Sequence, residues 1–152
     1  MKLYLIRHAE AKSNEEDPLR PLSDEGKITI QKVSGYIAQL NIPISEVIHS
    51  DKLRAKETAE IFANSIGIPD KTKEHKGLAP NNDVIPIANY LMNKKNDIAI
   101  VSHLPFLDKL ASLLLCGKKD MNIINFRMGE VVCLNKENNN WSVEWIITPE
   151  II

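Results

Sequence analysis

Hydrophobic positions along the chain follow a strand-like pattern in several short stretches. Three of them are dense in apolar and β-branched residues, and they lie at Lys2–Arg7, Glu46–His49 and Asp97–Ser102. Nearly continuous apolar runs of this kind are typical of strands that are covered on both faces. A weaker strand is predicted near Lys71–Glu74.

Helical spacing of apolar residues predicts four helices, which alternate with these strands. Ser23 is the expected N-cap of the first helix, which ends near Asn41. Pro105 is expected in the first turn of the last helix, and Gly117 at its end. The two helices between them are predicted at Leu53–Ile66 and Asp83–Leu91.

After Gly129 the apolar positions alternate with a period of two. This pattern predicts a β-hairpin of Val131–Leu134 and Trp141–Ile147, joined by a polar turn at residues 137–140, at an edge of the sheet. Trp141 and Trp145 lie four positions apart on one predicted strand, so we expect them on the same face.

This order of elements predicts the fold class. Strands that alternate with helices imply right-handed crossovers and parallel neighbours. We therefore expect an α/β fold, a three-layer α/β/α sandwich with a mostly parallel central sheet and a C-terminal hairpin. The length of 152 residues suits one domain, residues 1–152.

Composition excludes several classes of function. With 19 Lys and Arg against 20 Asp and Glu, the chain has no overall charge to attract nucleic acid or a membrane surface. It has neither a signal-peptide pattern nor an apolar run long enough for a membrane span, so a cytoplasmic location is expected. Two cysteines without metal-ligand spacing predict no metal site and no cofactor. The oligomeric state is left open, and a monomer is favoured.

Cationic residues lie at the ends of the three strong strands. They are Arg7 and His8 at the end of the first, Arg54 in the helix after the second, and His103 after the third. Each alone is most often a solvated or capping side chain. Because parallel strand ends meet in a crevice that binds ligands, their coincidence predicts one cationic site. The planar fork of arginine matches phosphate oxygens best.

Weaker candidates lie beside this group. The helix after His103 directs its N-terminal N–H groups and dipole toward the same edge, so the N–H of Leu104 could bind an anion. The hydroxyls of Ser50 and Ser102 could donate to phosphate, although backbone or capping bonds are an equal alternative.

Four ordered segments of the chain form a set of motifs. They are Arg7-His8-Ala9-Glu10-Ala11, Arg20-Pro21-Leu22-Ser23 with Gly26, Ser50-Asp51-Lys52-Leu53-Arg54-Ala55 and Val101-Ser102-His103-Leu104-Pro105. Together they resemble motifs of the histidine phosphatase superfamily, and most closely those of the short SixA-type phosphohistidine phosphatases, which share the phosphoglycerate mutase-like fold. The main departure is Ala9, where the family usually has glycine. Alanine implies either a backbone conformation open to any residue or an altered pocket.

The resemblance implies a role for each site residue. A neutral His8 attacks phosphorus and forms a phosphohistidine intermediate, which water hydrolyses without a metal. Arg7, Arg54 and His103 stabilise the phosphoryl oxygens, and His103 can be protonated against bound phosphate. Related enzymes take a general acid from a region comparable to that of Asp83, which could equally cap the next helix. Glu10 is a weaker candidate for the acid.

Three functions remain open at this point. The leading hypothesis is removal of phosphate from phosphohistidine on a partner signalling or phosphotransfer protein, at a shallow and open site. The second is a phosphomonoesterase for a small phosphoester, which requires a working acid such as Asp83. The third is a module that binds phosphorylated residues without turnover. A phosphomutase is disfavoured, since it would need a more enclosed site.

Overall fold

A computed structural model describes residues 1–152, and its centre is a six-stranded sheet. The strand order is β3-β2-β4-β1-β5-β6, with parallel pairing among β1 to β4 and antiparallel pairing of β5 with β1 and β6. The predicted α/β class with a C-terminal edge hairpin is confirmed. The strands are β1 (Lys2–Arg7), β2 (Glu46–His49), β3 (Thr72–Glu74), β4 (Ile98–Ser102), β5 (Val131–Glu137) and β6 (Asn140–Ile147).

Two pairs of helices cover the two faces of the sheet. One apolar layer joins α1 and α2 to alternate strand residues such as Tyr4 and Ile6, and the other joins α3 and α4 to Leu3 and Leu5. This is the expected three-layer sandwich. The helices are α1 (Asp24–Ala38), α2 (Leu53–Ser65), α3 (Ile85–Met92) and α4 (Phe106–Cys116).

The central strand β4 determines where the loops meet. Its residues are fully buried, because Ile98 and Ile100 pack in one layer while Ala99 and Val101 pack in the other. In the register, Arg7 of β1 lies opposite Ser102, and His49 of β2 lies opposite Val101. The carboxyl ends of β1, β4 and β2 therefore lie side by side at one edge of the sheet.

The start of α1 lies against the loop that follows β1. Ser23 is the N-cap, as predicted, and its Oγ accepts a hydrogen bond of 3.0 Å from the N–H of Gly26. A β-carbon at Gly26 would lie 2.1 Å from the carbonyl oxygen of Glu10. Only glycine allows this approach, which fixes the backbone two residues after His8.

The hairpin differs from the sequence-based expectation in the length of its strands and in their register. The strands are longer than predicted, and the turn is formed by Asn138 and Asn139, with φ of 50° and 64°. A β-bulge shifts the register, so Cys133 pairs with Trp145 and the next residue pairs with Val143. The bulge turns Trp141 and Trp145 to opposite faces, so the expectation of a shared face was wrong.

Two helix starts also differ slightly from the prediction. The third helix begins at Ile85 rather than Asp83, and Pro105 occupies the N-cap position of α4 rather than its first turn. Gly117 ends α4 with φ of 74°, as expected. None of the helices combines the length and apolar character needed to cross a bilayer.

Two glycines of α1 provide a matched test of the close approach. We expect Gly26→Ala to lower the free energy of unfolding by about 1–3 kcal/mol, because its β-carbon would collide with Glu10. Gly35→Ala, in the same helix with no atom within 4 Å of its added β-carbon, should raise stability by about 0.5–1 kcal/mol. Urea unfolding of both variants gives the comparison. A Gly26→Ala protein as stable as the Gly35→Ala protein would contradict this account of the contact.

Candidate active site

The predicted site residues converge at the carboxyl ends of β1, β2 and β4. The N–H of His8 donates to the carbonyl of Ser102 over 3.0 Å, and the N–H of Ser50 donates to Val101 over 3.2 Å. These bonds extend the sheet ladders into the loops. They bring the rings of His8 and His103 together, with centroids 5.0 Å apart and planes tilted by 53°.

The ring of His8 is held in one tautomer. Its Nδ1 lies 2.7 Å from the carbonyl oxygen of Ala9, which can only accept, so Nδ1 carries the proton. The other nitrogen, Nε2, has no partner in the protein and is not among the fully buried polar atoms. His8 is 8% exposed, so Nε2 is an unprotonated nitrogen at the surface of an otherwise buried ring.

Burial and neighbouring cations keep His8 neutral. Burial lowers the pKa of His8 to about 4, the hydrogen bond to Ala9 opposes this shift, and the positive charges of Arg54, Arg7 and Arg20 lower the pKa further. At neutral pH the imidazole is therefore uncharged and nucleophilic.

His103 is also neutral in this structure. Burial lowers its pKa to about 3, and Arg54, together with His8 once that ring is protonated, lowers it further. The Nε2 of His103 lies 2.5 Å from Ser50 Oγ, which accepts a hydrogen bond of 3.3 Å from the N–H of Lys52. Ser50 can therefore donate its own proton to Nε2, which places the proton of His103 on Nδ1. That Nδ1 is buried and has no partner.

Each of the two arginines has a buried donor without an acceptor. Arg7 donates from Nη1 to the carbonyl of Phe126 over 2.8 Å, but its Nε is buried without an acceptor. The Nε of Arg54 is buried without an acceptor as well. Buried polar groups are normally hydrogen-bonded, so three unpaired nitrogens in one site, counting His103 Nδ1, suit an acceptor-rich ligand.

The position of Ala9 answers the question raised by the missing glycine. Ala9 is not among the residues with positive φ, and it is fully buried in the core layer of α1 and α2. Its N–H donates to Thr58 Oγ1 over 3.1 Å, and Thr58 donates to the carbonyl of Arg54 over 2.7 Å. The backbone of residue 9 thus connects His8 to Arg54, and alanine fits there without strain.

The weaker candidates have other contacts. Asp83 is exposed, and its Oδ1 accepts a hydrogen bond of 3.1 Å from the N–H of Ile85 at the start of α3. The carboxylate of Glu10 accepts from Ser23 Oγ over 2.7 Å. Ser102 donates to the carbonyl of Leu78 over 2.7 Å. The N–H of Leu104 donates to no acceptor in the protein and is available at the edge of the site.

Arg20 is the site neighbour that the sequence analysis did not single out. Its positive charge lowers the pKa values of His8, His103 and Arg54. It lies in the second of the four motif segments, and this was the signal that could have identified it. Arg20 is far along the chain from every strand end, so the strand pattern did not predict that it lies near the site.

No cleft in the surface encloses the predicted site. His8, Arg54 and His103 line none of the clefts. A polar cleft of about 500 Å³ begins beside them at Arg7 and Glu10 and runs along residues 125–128 and 149–150. The expectation of a shallow and open site stays a prediction.

Comparison with known proteins gives the family. The chain is 24% identical to phosphohistidine phosphatase SixA of Escherichia coli over 98% of its own length and 94% of that protein. A structure of the protein histidine phosphatase SixA complexed with tungstate superposes with a TM-score of 0.86 at 22% identity, covering 98% of this chain and 97% of that one. A phosphoserine phosphatase mutant from Entamoeba histolytica, in complex with phosphoserine, gives a TM-score of 0.73 at 14% identity, covering 98% of both chains.

These matches agree with the motif segments and with the fold. The family model of the histidine phosphatase superfamily (branch 1) matches residues 3–79, just over half of the chain. That range includes the motif segments around His8, Arg20 and Arg54. The chain therefore belongs to the histidine phosphatase superfamily.

Proposed function

We propose that this protein is a phosphatase that removes phosphate from a phosphohistidine side chain of a partner protein, through a phosphohistidine intermediate on its own His8. The observation that carries this proposal is the free Nε2 of His8 beside three buried donors without acceptors, Arg7 Nε, Arg54 Nε and His103 Nδ1. A tetrahedral phosphoryl group supplies the missing acceptors.

In the first step, Nε2 of His8 attacks phosphorus in line with the leaving group. A bond forms from Nε2 to phosphorus while the bond from phosphorus to the substrate nitrogen breaks. The hydrogen bond from Nδ1 to Ala9 stabilises the positive charge that grows on the imidazole of His8. The leaving imidazole departs as a neutral base when its other ring nitrogen carries a proton, so this substrate makes little demand on a general acid.

The buried donors stabilise the charge on the transferred oxygens. Arg7 and Arg54 remain charged, and partial burial strengthens their attraction to the phosphoryl group. His103 donates from Nδ1 even when it is neutral, because Ser50 occupies its Nε2. The N–H of Leu104 is a fourth candidate donor. In the second step water attacks the phosphorus, releases inorganic phosphate and restores Nε2.

Two observations support a protein as the substrate. Similarity to phosphohistidine phosphatase SixA extends over nearly the whole of both chains. His8 also lies outside every cleft of the surface, which favours a side chain that projects from another protein, whereas a small metabolite is usually enclosed.

The fold match to a phosphoserine phosphatase supports a second candidate, a phosphomonoesterase for a small phosphoester. An alkoxide leaving group needs a proton, so that activity requires an acid such as Asp83. The hydrogen bond of Asp83 to Ile85 supports its alternative role at a helix end. Loss of phosphoester turnover in Asp83→Asn, with phosphohistidine turnover unchanged, would favour the acid role.

Labelled substrate and the His8→Ala variant test the main proposal. Purified phosphotransfer proteins carrying ³²P-phosphohistidine and a panel of phosphometabolites are incubated with the protein in excess EDTA. We expect release of phosphate from phosphohistidine and a transient acid-labile label on the wild type. His8→Ala should lose about 10⁴-fold or more of the rate and form no labelled enzyme. His75→Ala, which removes a histidine outside the site, should match the wild type.

Several outcomes would overturn the proposal. If the protein hydrolysed phosphoesters but not phosphohistidine, the phosphomonoesterase function would replace the proposed one. Equal rates for His8→Ala and the wild type would exclude catalysis by His8. Binding of phosphohistidine without turnover by the wild type would indicate a non-catalytic module, and loss of all turnover in EDTA would contradict metal independence.

Ser50 should act through His103. We expect Ser50→Ala to lower kcat/KM by about 3- to 15-fold. Without the hydrogen bond from Ser50, a smaller fraction of His103 carries its proton on Nδ1, where it can donate to phosphate. Ser65→Ala, at the exposed end of α2, is the matched control and should leave kcat/KM unchanged. Steady-state kinetics at pH 7 provides the measurement. A Ser50→Ala enzyme with wild-type kcat/KM would remove Ser50 from the mechanism.

The two site histidines should titrate at low pH. NMR of ¹⁵N-labelled imidazoles should give pKa values of about 4 for His8 and about 3 for His103. Because an unfolded histidine protonates at a pH of roughly 6.5, these lowered pKa values make stability fall as the pH drops from about 6.5 toward 3. Inorganic phosphate should raise both pKa values, since an anion favours the charged ring. Ordinary pKa values in the free protein would refute the buried, neutral state of the pair.

A further inference from the structure

Arg20 lies in a loop that the backbone holds firmly in place. The N–H of Lys12 donates to the carbonyl of Pro21 over 2.8 Å, and Ala11 forms an antiparallel bridge with Leu22. The N–H of Arg20 itself donates to the carbonyl of Asp17 over 2.9 Å. The loop at residues 10–23 therefore keeps its shape without any contribution from the side chain of Arg20.

The same loop is attached to the helix that carries Arg54. The N–H of Leu22 donates to Glu57 Oε1 over 3.0 Å, and Glu57 lies one helical turn after Arg54 on α2. At its other end, the carbonyl of Glu10 accepts from the N–H of Ser23 over 2.9 Å, two residues after His8. The loop that carries Arg20 is thus joined both to the segment that follows His8 and to the helix of Arg54.

Arg20 has a backbone conformation that is strained for arginine but would not be strained for glycine. Its φ is 48°, in the left-handed region, and it precedes Pro21, which further restricts its conformation. Strain of this kind persists where the surrounding structure enforces it, and it clusters at functional sites. The strain at Arg20 therefore directs attention to what its side chain does.

The guanidinium group of Arg20 is oriented but not neutralised. Its Nε donates to the carbonyl of Lys12 over 3.1 Å, which leaves the two terminal nitrogens without a hydrogen-bond partner. No carboxylate forms an ion pair with it. Its charge acts on Arg54, His8 and His103, so it adds to a group of cations rather than balancing them.

We propose that Arg20 is a third phosphate-binding arginine, which the loop at residues 10–23 holds at the mouth of the site so that its terminal nitrogens contact the phosphoryl group of the substrate. This role rests on the proposed function, for which it supplies a further binding residue. The Nε atoms of Arg7 and Arg54 are fully buried, whereas Arg20 is partly exposed, so Arg20 would supply its contacts from nearer the solvent. An anion in this position relieves the repulsion between Arg20 and Arg54.

The Arg20→Gly variant separates binding from folding. Glycine adopts φ near 48° freely and keeps the N–H to Asp17, so the melting temperature should equal or exceed that of the wild type. Isothermal titration with inorganic phosphate should show at least tenfold weaker binding. With a phosphohistidine protein, KM should rise more than kcat falls. Lys71→Ala removes the same charge from an exposed site on the short turn before β3 and should change neither quantity.

The outcomes distinguish this inference from the proposed function. Equal phosphate affinity in Arg20→Gly and the wild type, including no measurable binding by either, would overturn the role of Arg20. Weaker binding that comes only with a lower melting temperature would assign Arg20 a structural role and also overturn it. A wild type that binds phosphate through Arg20 but does not hydrolyse phosphohistidine would leave the third arginine in place and refute the proposed function alone.

Discussion

The strand β4 pairs with β1 along one side and with β2 along the other, and the arrangement of the site depends on these two ladders. Arg7 lies opposite Ser102, and His49 lies opposite Val101, so the loops after all three strands leave the sheet at the same level. A shift of β4 by one residue would exchange its two buried faces, which the packing of Ile100 and Val101 in separate layers opposes. The core thus fixes the register, and the register places His103 beside His8.

Electrostatics in the site reflects a balance between burial and charge. Arg7, Arg54 and their cationic neighbours repel one another. The negative charges of Glu130 near Arg7 and of Asp51 near Arg54 offset part of this repulsion. Under these conditions an imidazole loses its proton readily, so the pocket is positive while the ring of His8 is neutral. An anionic ligand is attracted by the arginines without being held away from the unprotonated nitrogen of His8.

Much of the fold could be predicted from the sequence, because buried strands and amphipathic helices have strong local patterns. The strand bounds of Lys2–Arg7 and Glu46–His49 agree with the structure, and the residues after them form the expected cluster. The β-bulge at Cys133 could not be predicted, since the alternation of apolar residues is the same with and without it. Arg20 was missed because its position depends on the long-range contacts of an irregular loop. Nor could the sequence alone distinguish the hydrogen bond of Ser50 to His103 from a direct contact with ligand.

Ala9 carries a consequence for how relatives of this protein can be recognised. Its carbonyl orients His8 and its amide contacts Thr58, while its methyl group fills space in the core. The backbone of residue 9 makes both of these hydrogen bonds, so the position tolerates a small side chain. A search pattern that demands glycine after the Arg-His pair would therefore overlook chains with the same orienting carbonyl, whereas one that allows any small residue would retain them.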